Sequence, residues 1–252
     1  MKNNTIVESY VLPSQGKVYD IEVVPEVRLR SMTTAEEQKR LARTDFPYKM
    51  LCEIIDDCMV ESPGISSYDM CIGDYQFLLH KLRVVTYGSD YKMDITCPYC
   101  GTTLHETINL DELPIMSYTE IIDKYFEFDL PKSKNHIKLK VQTPRMLDRV
   151  NEKVRDMKQR SNNTLKSDPT LTYTVASLIS EIDGKKPDAL KLEQWVENLP
   201  MMDVNTIISY AEKCNSLLGI DTTLNTTCDN CGLHFLSQMR MTSEFFRPSL
   251  DI

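Results

Sequence analysis

Apolar residues change their spacing several times along this chain, and each change marks an element. Over residues 48–60, Leu51, Ile54, Ile55, Cys58 and Met59 recur at three- and four-residue steps. That is the stripe of a half-buried helix. Residues 68–86 repeat the pattern with Met70, Phe77, Leu78, Leu82 and Val85, and Gly88 stands where a helix end favours glycine. Ser62, Pro63 and Gly64 break the chain between the two. Earlier, Thr33 and Thr34 each precede a glutamate by three residues (Glu36, Glu37). This is capping-box spacing, so a helix is predicted from there to about residue 43, ending before Pro47.

Other stretches read as extended. Pro13-Ser14-Gln15-Gly16 is a turn signal, and residues 18–24 and 27–30 are expected to be short strands separated by Pro25. Alternating residues at 91–96 and 104–110 predict a β-hairpin around Cys97-Pro98-Tyr99-Cys100-Gly101. Residues 222–227 and 233–239 predict a second one around Cys228-Asp229-Asn230-Cys231-Gly232. Between the hairpins the chain reads as mainly helical. A helix is expected at 117–125 and a strand at 136–141. A long helix then opens with Thr143 as N-cap and Pro144 at the first position, its stripe being Leu147, Val150, Val154 and Met157. After a polar loop at 161–169, helices are expected at 170–182, 188–198 and 203–218, the last ended by Gly219.

Composition narrows the class. The chain has 252 residues, 41% of them hydrophobic and 26% charged, enough to bury a core and unlike a disordered chain. A net charge of −8 argues against broad adhesion to nucleic acid or an anionic membrane. The one basic stretch, Lys153, Arg155, Lys158 and Arg160, is interleaved with Glu152 and Asp156 and reads as a solvated helix face. Residues 1–10 lack the apolar core of a signal peptide, and no window has the length of a membrane span. The expectation is a protein kept in a cytoplasm, where paired cysteines indicate metal or redox chemistry rather than disulfides.

Four of the eight cysteines stand in pairs, Cys97 with Cys100 and Cys228 with Cys231, each pair followed by glycine and preceded by threonine. A tight Cys-x-x-Cys turn presents two thiolates on one side, and glycine after it permits a positive φ. Two such turns facing each other complete the tetrahedron that Zn²⁺ favours. These four residues are therefore the candidate ligands of a structural zinc ion, although 127 residues (101–227) separate the pairs. His105 and His234 lie close enough to compete as ligands. Cys52, Cys58, Cys71 and Cys214 sit singly in helical patterns and read as core, as does Trp195. His80 and His136 read as partners of nearby backbone. The resulting expectation is an α+β fold, mainly helical with a small N-terminal sheet and a split zinc ribbon made of the two hairpins. It divides into 1–88 with strands and three helices, a ribbon module from 89–112 and 220–252, and a helical insert at 113–219.

The chain carries none of the common catalytic patterns. There is no His-x-Glu of a zinc deaminase, no His-Glu-x-x-His, no phosphate-cradling glycine loop and no Gly-x-Ser-x-Gly. Cys97-Pro98-Tyr99-Cys100 matches a glutaredoxin tetrapeptide, but that chemistry needs a helix N-terminus after the motif, and Gly101-Thr102-Thr103 favours a strand. The acidic pair Asp111-Glu112 reads as a cap or a solvated pair.

The order of motifs resembles a known family. Leu12-Pro13-Ser14-x-Gly16-x-x-Tyr19 leads into Val27-x-Leu29-Arg30-x-Met32-Thr33-Thr34-x-Glu36-Glu37. Then come Ile72-Gly73-Asp74, Phe77-Leu78-Leu79, Leu82-Arg83 and Tyr87-Gly88-x-x-Tyr91, followed by the first cysteine turn. Ile108-x-Leu110-Asp111-Glu112-Leu113, Ile182-Asp183-Gly184, the second cysteine turn and Phe245-Phe246-Arg247-Pro248-Ser249 complete the series. This order is similar to that of the baseplate hub and hub-assembly proteins of T-even-type contractile-tailed bacteriophages. The resemblance implies a non-enzymatic role as a hub component or assembly factor, and other phage baseplate hub proteins as partners. It implies no small-molecule substrate and no membrane, and a place in the host cytoplasm during infection and in the virion baseplate. Two other readings compete: a zinc-ribbon nucleic-acid-binding or transcription-associated factor, and a thiol oxidoreductase.

Overall fold

The computed structural model describes residues 6–161, 167–239 and 243–246. The chain opens with strand β1 (Val7–Val11), which pairs antiparallel with β2 (Glu26–Arg30) in the register Val7 to Arg30 and Val11 to Glu26. Helices α1 (Thr34–Leu41), α2 (Pro47–Cys58) and α3 (Ile72–Tyr87) follow. The predicted capping box forms at Thr33 with Glu36, whose carboxylate takes the Thr33 N–H at 2.7 Å and its hydroxyl at 2.6 Å. Glu37 instead pairs with Arg40.

Strands β3 (Asp90–Thr96) and β4 (Thr103–Asn109) form the first cysteine hairpin. β5 (Ile115–Met116), β6 (Glu127–Asp129) and β7 (His136–Leu139) lead to α4 (Pro144–Arg160). After α5 (Thr170–Leu178) come β8 (Ile179–Ile182), α6 (Ala189–Glu197) and α7 (Met201–Ser216). The described chain returns through β9 (Gly219–Ile220) and the second cysteine hairpin, β10 (Thr223–Thr227) with β11 (His234–Gln238).

This corrects the expected fold class. Among the described residues strands recur along the chain in five separate sheets: β1–β2, β3–β4, β5–β9, β6–β7–β8 and β10–β11. The molecule is α+β, but it is not mainly helical with a single N-terminal sheet. The two cysteine hairpins are independent two-stranded sheets with no backbone ladder between them, so no ribbon is formed.

Three local expectations also change. Residues 18–24 are not a strand. The partner of β2 is the earlier segment β1, and Leu12 N–H bonds the Pro25 carbonyl at 2.8 Å while Val24 N–H bonds that of Pro63 at 2.9 Å. The turn that reverses the chain holds Gln15 and Gly16 at positive φ, and a Cβ on Gly16 would lie 2.5 Å from the Val23 carbonyl oxygen. Residues 117–125 give only a short 3₁₀ turn at Ile122–Tyr125, preceded by a bond from Tyr118 N–H to the Pro13 carbonyl. The helix expected at 170–182 ends at Leu178, because Ile182 pairs with Ile137 in the central three-stranded sheet. Of the polar loop expected at 161–169, residues 162–166 lie outside the described ones, as do Arg247, Pro248 and Ser249.

Two main cores result. The first gathers β2, α2 and α3 with Leu12, Leu110, Phe245 and Phe246. Arg83, 1% exposed, fastens it by donating to the carbonyls of Phe245 and Gly88, both at 2.8 Å. The second packs β6–β7–β8 against α5, α6 and α7, with Trp195 at its edge. A seam of Cys71, Ile122 and Leu218 links them, sharing Tyr19 with the first and Phe126 with the second. Near it Gly73 of α3 meets the entry to β9 so closely that a Cβ on Gly73 would lie 2.6 Å from the Leu218 carbonyl oxygen. One residue on, the buried carboxylate of Asp74 accepts the Ser14 N–H at 2.9 Å, the Tyr19 hydroxyl at 2.6 Å and the Ser14 hydroxyl. Motif residues far apart in sequence are thus joined at one buried point.

Candidate metal centre

The two cysteine turns are built alike. In the first, Cys97 N–H bonds the Thr102 carbonyl at 2.9 Å and Gly101 N–H bonds the Cys97 carbonyl at 3.0 Å. In the second, Cys228 N–H bonds the Leu233 carbonyl at 3.0 Å and Gly232 N–H bonds the Cys228 carbonyl at 2.8 Å. Gly101 and Gly232 take φ of 74° and 70°, the left-handed conformation that glycine adopts without steric penalty. The ladders continue from Thr96–Thr103 in one hairpin and Thr227–His234 in the other. Ile95, Leu104 and Phe235 pack with Cys97 and Cys228 as a small apolar cluster that fixes the turns against each other.

Facing turns bring the four thiols together. Cys97 Sγ lies 3.8 Å from Cys231 Sγ, and Cys100 Sγ lies 3.6 Å from Cys228 Sγ. All four sulfurs fall within 4.8 Å of one another. A disulfide needs ~2.05 Å, and all four cysteines are free. A tetrahedron with Zn–S bonds of ~2.3 Å has edges of about 3.8 Å, so the donor set and its spacing fit a tetrahedral thiolate-bound metal. The close pairs run between the hairpins, which makes the cluster a clasp across 127 intervening residues (101–227).

Neighbours tune the thiols. The Thr102 hydroxyl lies 3.3 Å from Cys100 Sγ, and the Asn230 amide donates to that sulfur at 3.7 Å and to the Thr102 oxygen at 3.1 Å. These contacts, Thr102 first, hold the Cys100 thiol down to about 6. A hydrogen bond from the Leu233 backbone favours the Cys231 thiolate, but partial desolvation and the three neighbouring cysteines outweigh it and push that thiol up to about 12. Sequence reasoning missed Thr102 and Asn230, although both sit in or beside the turns.

Neither histidine beside the turns joins the cluster. His105 is bonded to Asp94 at 2.6 Å and His234 to Thr227 at 2.8 Å, both on exposed strand faces. The remaining cysteines are buried, and desolvation pushes Cys52 and Cys58 up to about 12 and Cys214 up to about 11. Strand β4, not a helix, follows Cys100, so the first pair lacks the helix N-terminus that would serve a dithiol redox motif. His80 is fully buried and, among the described residues, neither ring nitrogen has a partner; His136 is bonded to the Asp129 carboxylate at 2.8 Å with Glu127 4.0 Å away, so neither histidine side chain serves nearby backbone as expected. Lys153 and Arg155 of the basic stretch carry carboxylate partners, Glu193 and Asp45. Asp111 receives the Lys81 ammonium at 2.6 Å and lies in a short 3₁₀ turn capped by Asn109. Among the described residues no helix is long and apolar enough to cross a membrane.

A family model described as T4 bacteriophage base plate protein matches residues 4–247, nearly the whole chain. No curated protein matches, and no solved structure does.

Proposed function

Because the chain belongs to the T4 bacteriophage base plate protein family, we propose that it works without catalysis in building the hub of the phage tail baseplate, as an assembly factor or a component. In this reading its partners are other hub proteins, met in the host cytoplasm and in the virion baseplate. Cys97, Cys100, Cys228 and Cys231 hold one structural Zn²⁺, which supplies four bonds that close the two hairpins on each other. The observation that carries the metal is the gathering of four free thiols within 4.8 Å of one another. The one that carries the hub is the order of motifs along the chain. The division into 1–88, a module from 89–112 with 220–252, and an insert at 113–219 belongs to the same proposal.

The metal's role is mechanical. Among the described residues the hairpins meet through a small apolar cluster and the Asn230 amide on Thr102 and Cys100, whereas a structural zinc contributes roughly 10–16 kcal/mol in small peptides. The clasp fixes the start and end of the insert relative to each other. Withholding the gene during infection and examining tails by electron microscopy tests the function. Tails should lack complete baseplates, and restoring the gene should return them; normal baseplates without the gene would overturn the proposal.

A further inference from the structure

On α4, Met146, Arg149, Val150 and Lys153 follow the three-four spacing of one helix face. That face borders an open groove of about 430 Å³, closed on the other side by α5, β8 and the start of α6. Its floor is apolar, with Val150, Ala176, Ile179 and Leu192 all buried. Its rim carries four cations, Lys140, Arg149, Lys153 and Lys186, against one carboxylate, Glu193. Glu193 is already committed to Lys153. Arg145 and Arg155 on the same helix have carboxylate partners in Asp69 and Asp45. Among the described residues Lys140, Arg149 and Lys186 have none. A second groove, of about 490 Å³, adjoins the first and shares Lys140, Met146 and Ser180 with it, but there Asp20 and Asp123 stand beside Lys17 and Lys138, so the excess of cations belongs to the first groove.

Three unpaired cations around an apolar floor are an unusual feature in a chain of net charge −8. Partial desolvation and the nearness of Lys186 and Arg149 lower the pKa of Lys140, so the cations repel one another in the free protein. An anionic occupant relieves this repulsion and an apolar floor takes its hydrophobic side chains. We propose that this trough docks an acidic segment of a partner protein, with carboxylates on Lys140, Arg149 and Lys186 and apolar side chains over Val150 and Leu192. A nucleic-acid strand fits less well: among the described residues lining this groove Tyr173 is the single aromatic ring, and one of its faces already carries the Lys153 ammonium at 5.2 Å, so the groove offers no platform for stacking successive bases. That the partner is a baseplate protein rests on the proposed function; the chemistry of the trough does not.

The test uses the full chain and three defined probes. One is a fluorescent peptide of about eight residues, glutamates around a central leucine and valine, roughly 26 Å when extended. The others are the same peptide with glutamines and a single-stranded oligonucleotide of similar length. The acidic peptide should bind, weaken with rising salt, and lose at least about tenfold in affinity in the triple variant Lys140→Ala, Arg149→Ala, Lys186→Ala. That variant should unfold at an unchanged or higher temperature, since it removes like-charge repulsion and no ion pair. Equal binding by the glutamine peptide, unchanged binding by the triple variant, or tighter binding of the oligonucleotide overturns the proposal. Peptide binding together with normal baseplates in the absence of the gene would leave the trough standing and sink the hub reading.

Discussion

Replacing Asp74 by alanine probes the point where the N-terminal turn is locked to α3. Asp74 and Ser14 are each 0% exposed, so no bulk water stands by to replace a lost partner. The variant strands three donors: the Ser14 N–H, the Ser14 hydroxyl and the Tyr19 hydroxyl. Tyr19 keeps a weak alternative in Cys71 Sγ at 3.4 Å, which leaves two clean losses. A buried donor without a partner costs about 1–3 kcal/mol, and two neighbours sharing one new cavity do not add fully, so about 3 kcal/mol is expected. At this chain size each kcal/mol lowers Tm by about 2–4 °C, giving a fall of about 6–12 °C. Ser14→Ala should cost less, about 1 kcal/mol, because Asp74 keeps the Ser14 N–H and the Tyr19 hydroxyl. Thermal unfolding followed by circular dichroism reads both variants. A fall below about 2 °C for Asp74→Ala, or a larger fall for Ser14→Ala, would refute the lock.

Further outcomes follow from the same structure. Gly219→Ala puts a Cβ 2.9 Å from the Gly73 Cα at a φ of 109° and should cost about 4 kcal/mol; Gly88→Ala, strained at φ 88° and ψ 171° but in open space, should cost only about 2 kcal/mol, and equal losses would contradict the close crossing. Desolvation, with Lys81 second, holds His80 down to about 4 against an ordinary 6.5. Its neutral form is favoured in the fold, so the stability it contributes is present above pH 6.5 and is lost as pH falls from there through about 4. His80→Leu removes two unpartnered nitrogens; it should leave Tm at pH 7 unchanged or raised and flatten that slope, as urea unfolding across the pH range would reveal. The Arg30 guanidinium, helped by Thr33, holds Glu36 down to about 2 from 4.5. Its contribution is therefore present above pH 4.5 and disappears as pH falls toward 2, and Glu36→Gln should lose stability relative to the parent at pH 6 but converge with it near pH 2.

Much of this was legible in the chain. Helices α2, α3, α4, α6 and α7 are long enough for their apolar stripes to declare them, and the caps at Thr33 and Thr143 form as their residue types dictate. Both hairpins were legible because each alternates into a Cys-x-x-Cys-Gly turn. The unreadable parts are those whose partner lies far away. β5 and β9 are two residues each, too short for any period, and exist only because Ile115 meets Ile220. Ile179–Ile182 continues the apolar run of α5, so periodicity alone extends the helix; pairing with β7 overrides it. In the site the four cysteines announced themselves, but the crossing of the close pairs between hairpins did not, nor did the roles of Thr102 and Asn230. No local pattern distinguishes His80, whose missing partners are a property of tertiary burial.

Elemental analysis tests most directly whether these four cysteines close on a zinc ion. Protein expressed without added metal should carry one zinc per chain, and Cys228→Ser should lose it. Parent protein without stoichiometric zinc, or zinc retained in full by Cys228→Ser, would contradict the clasp.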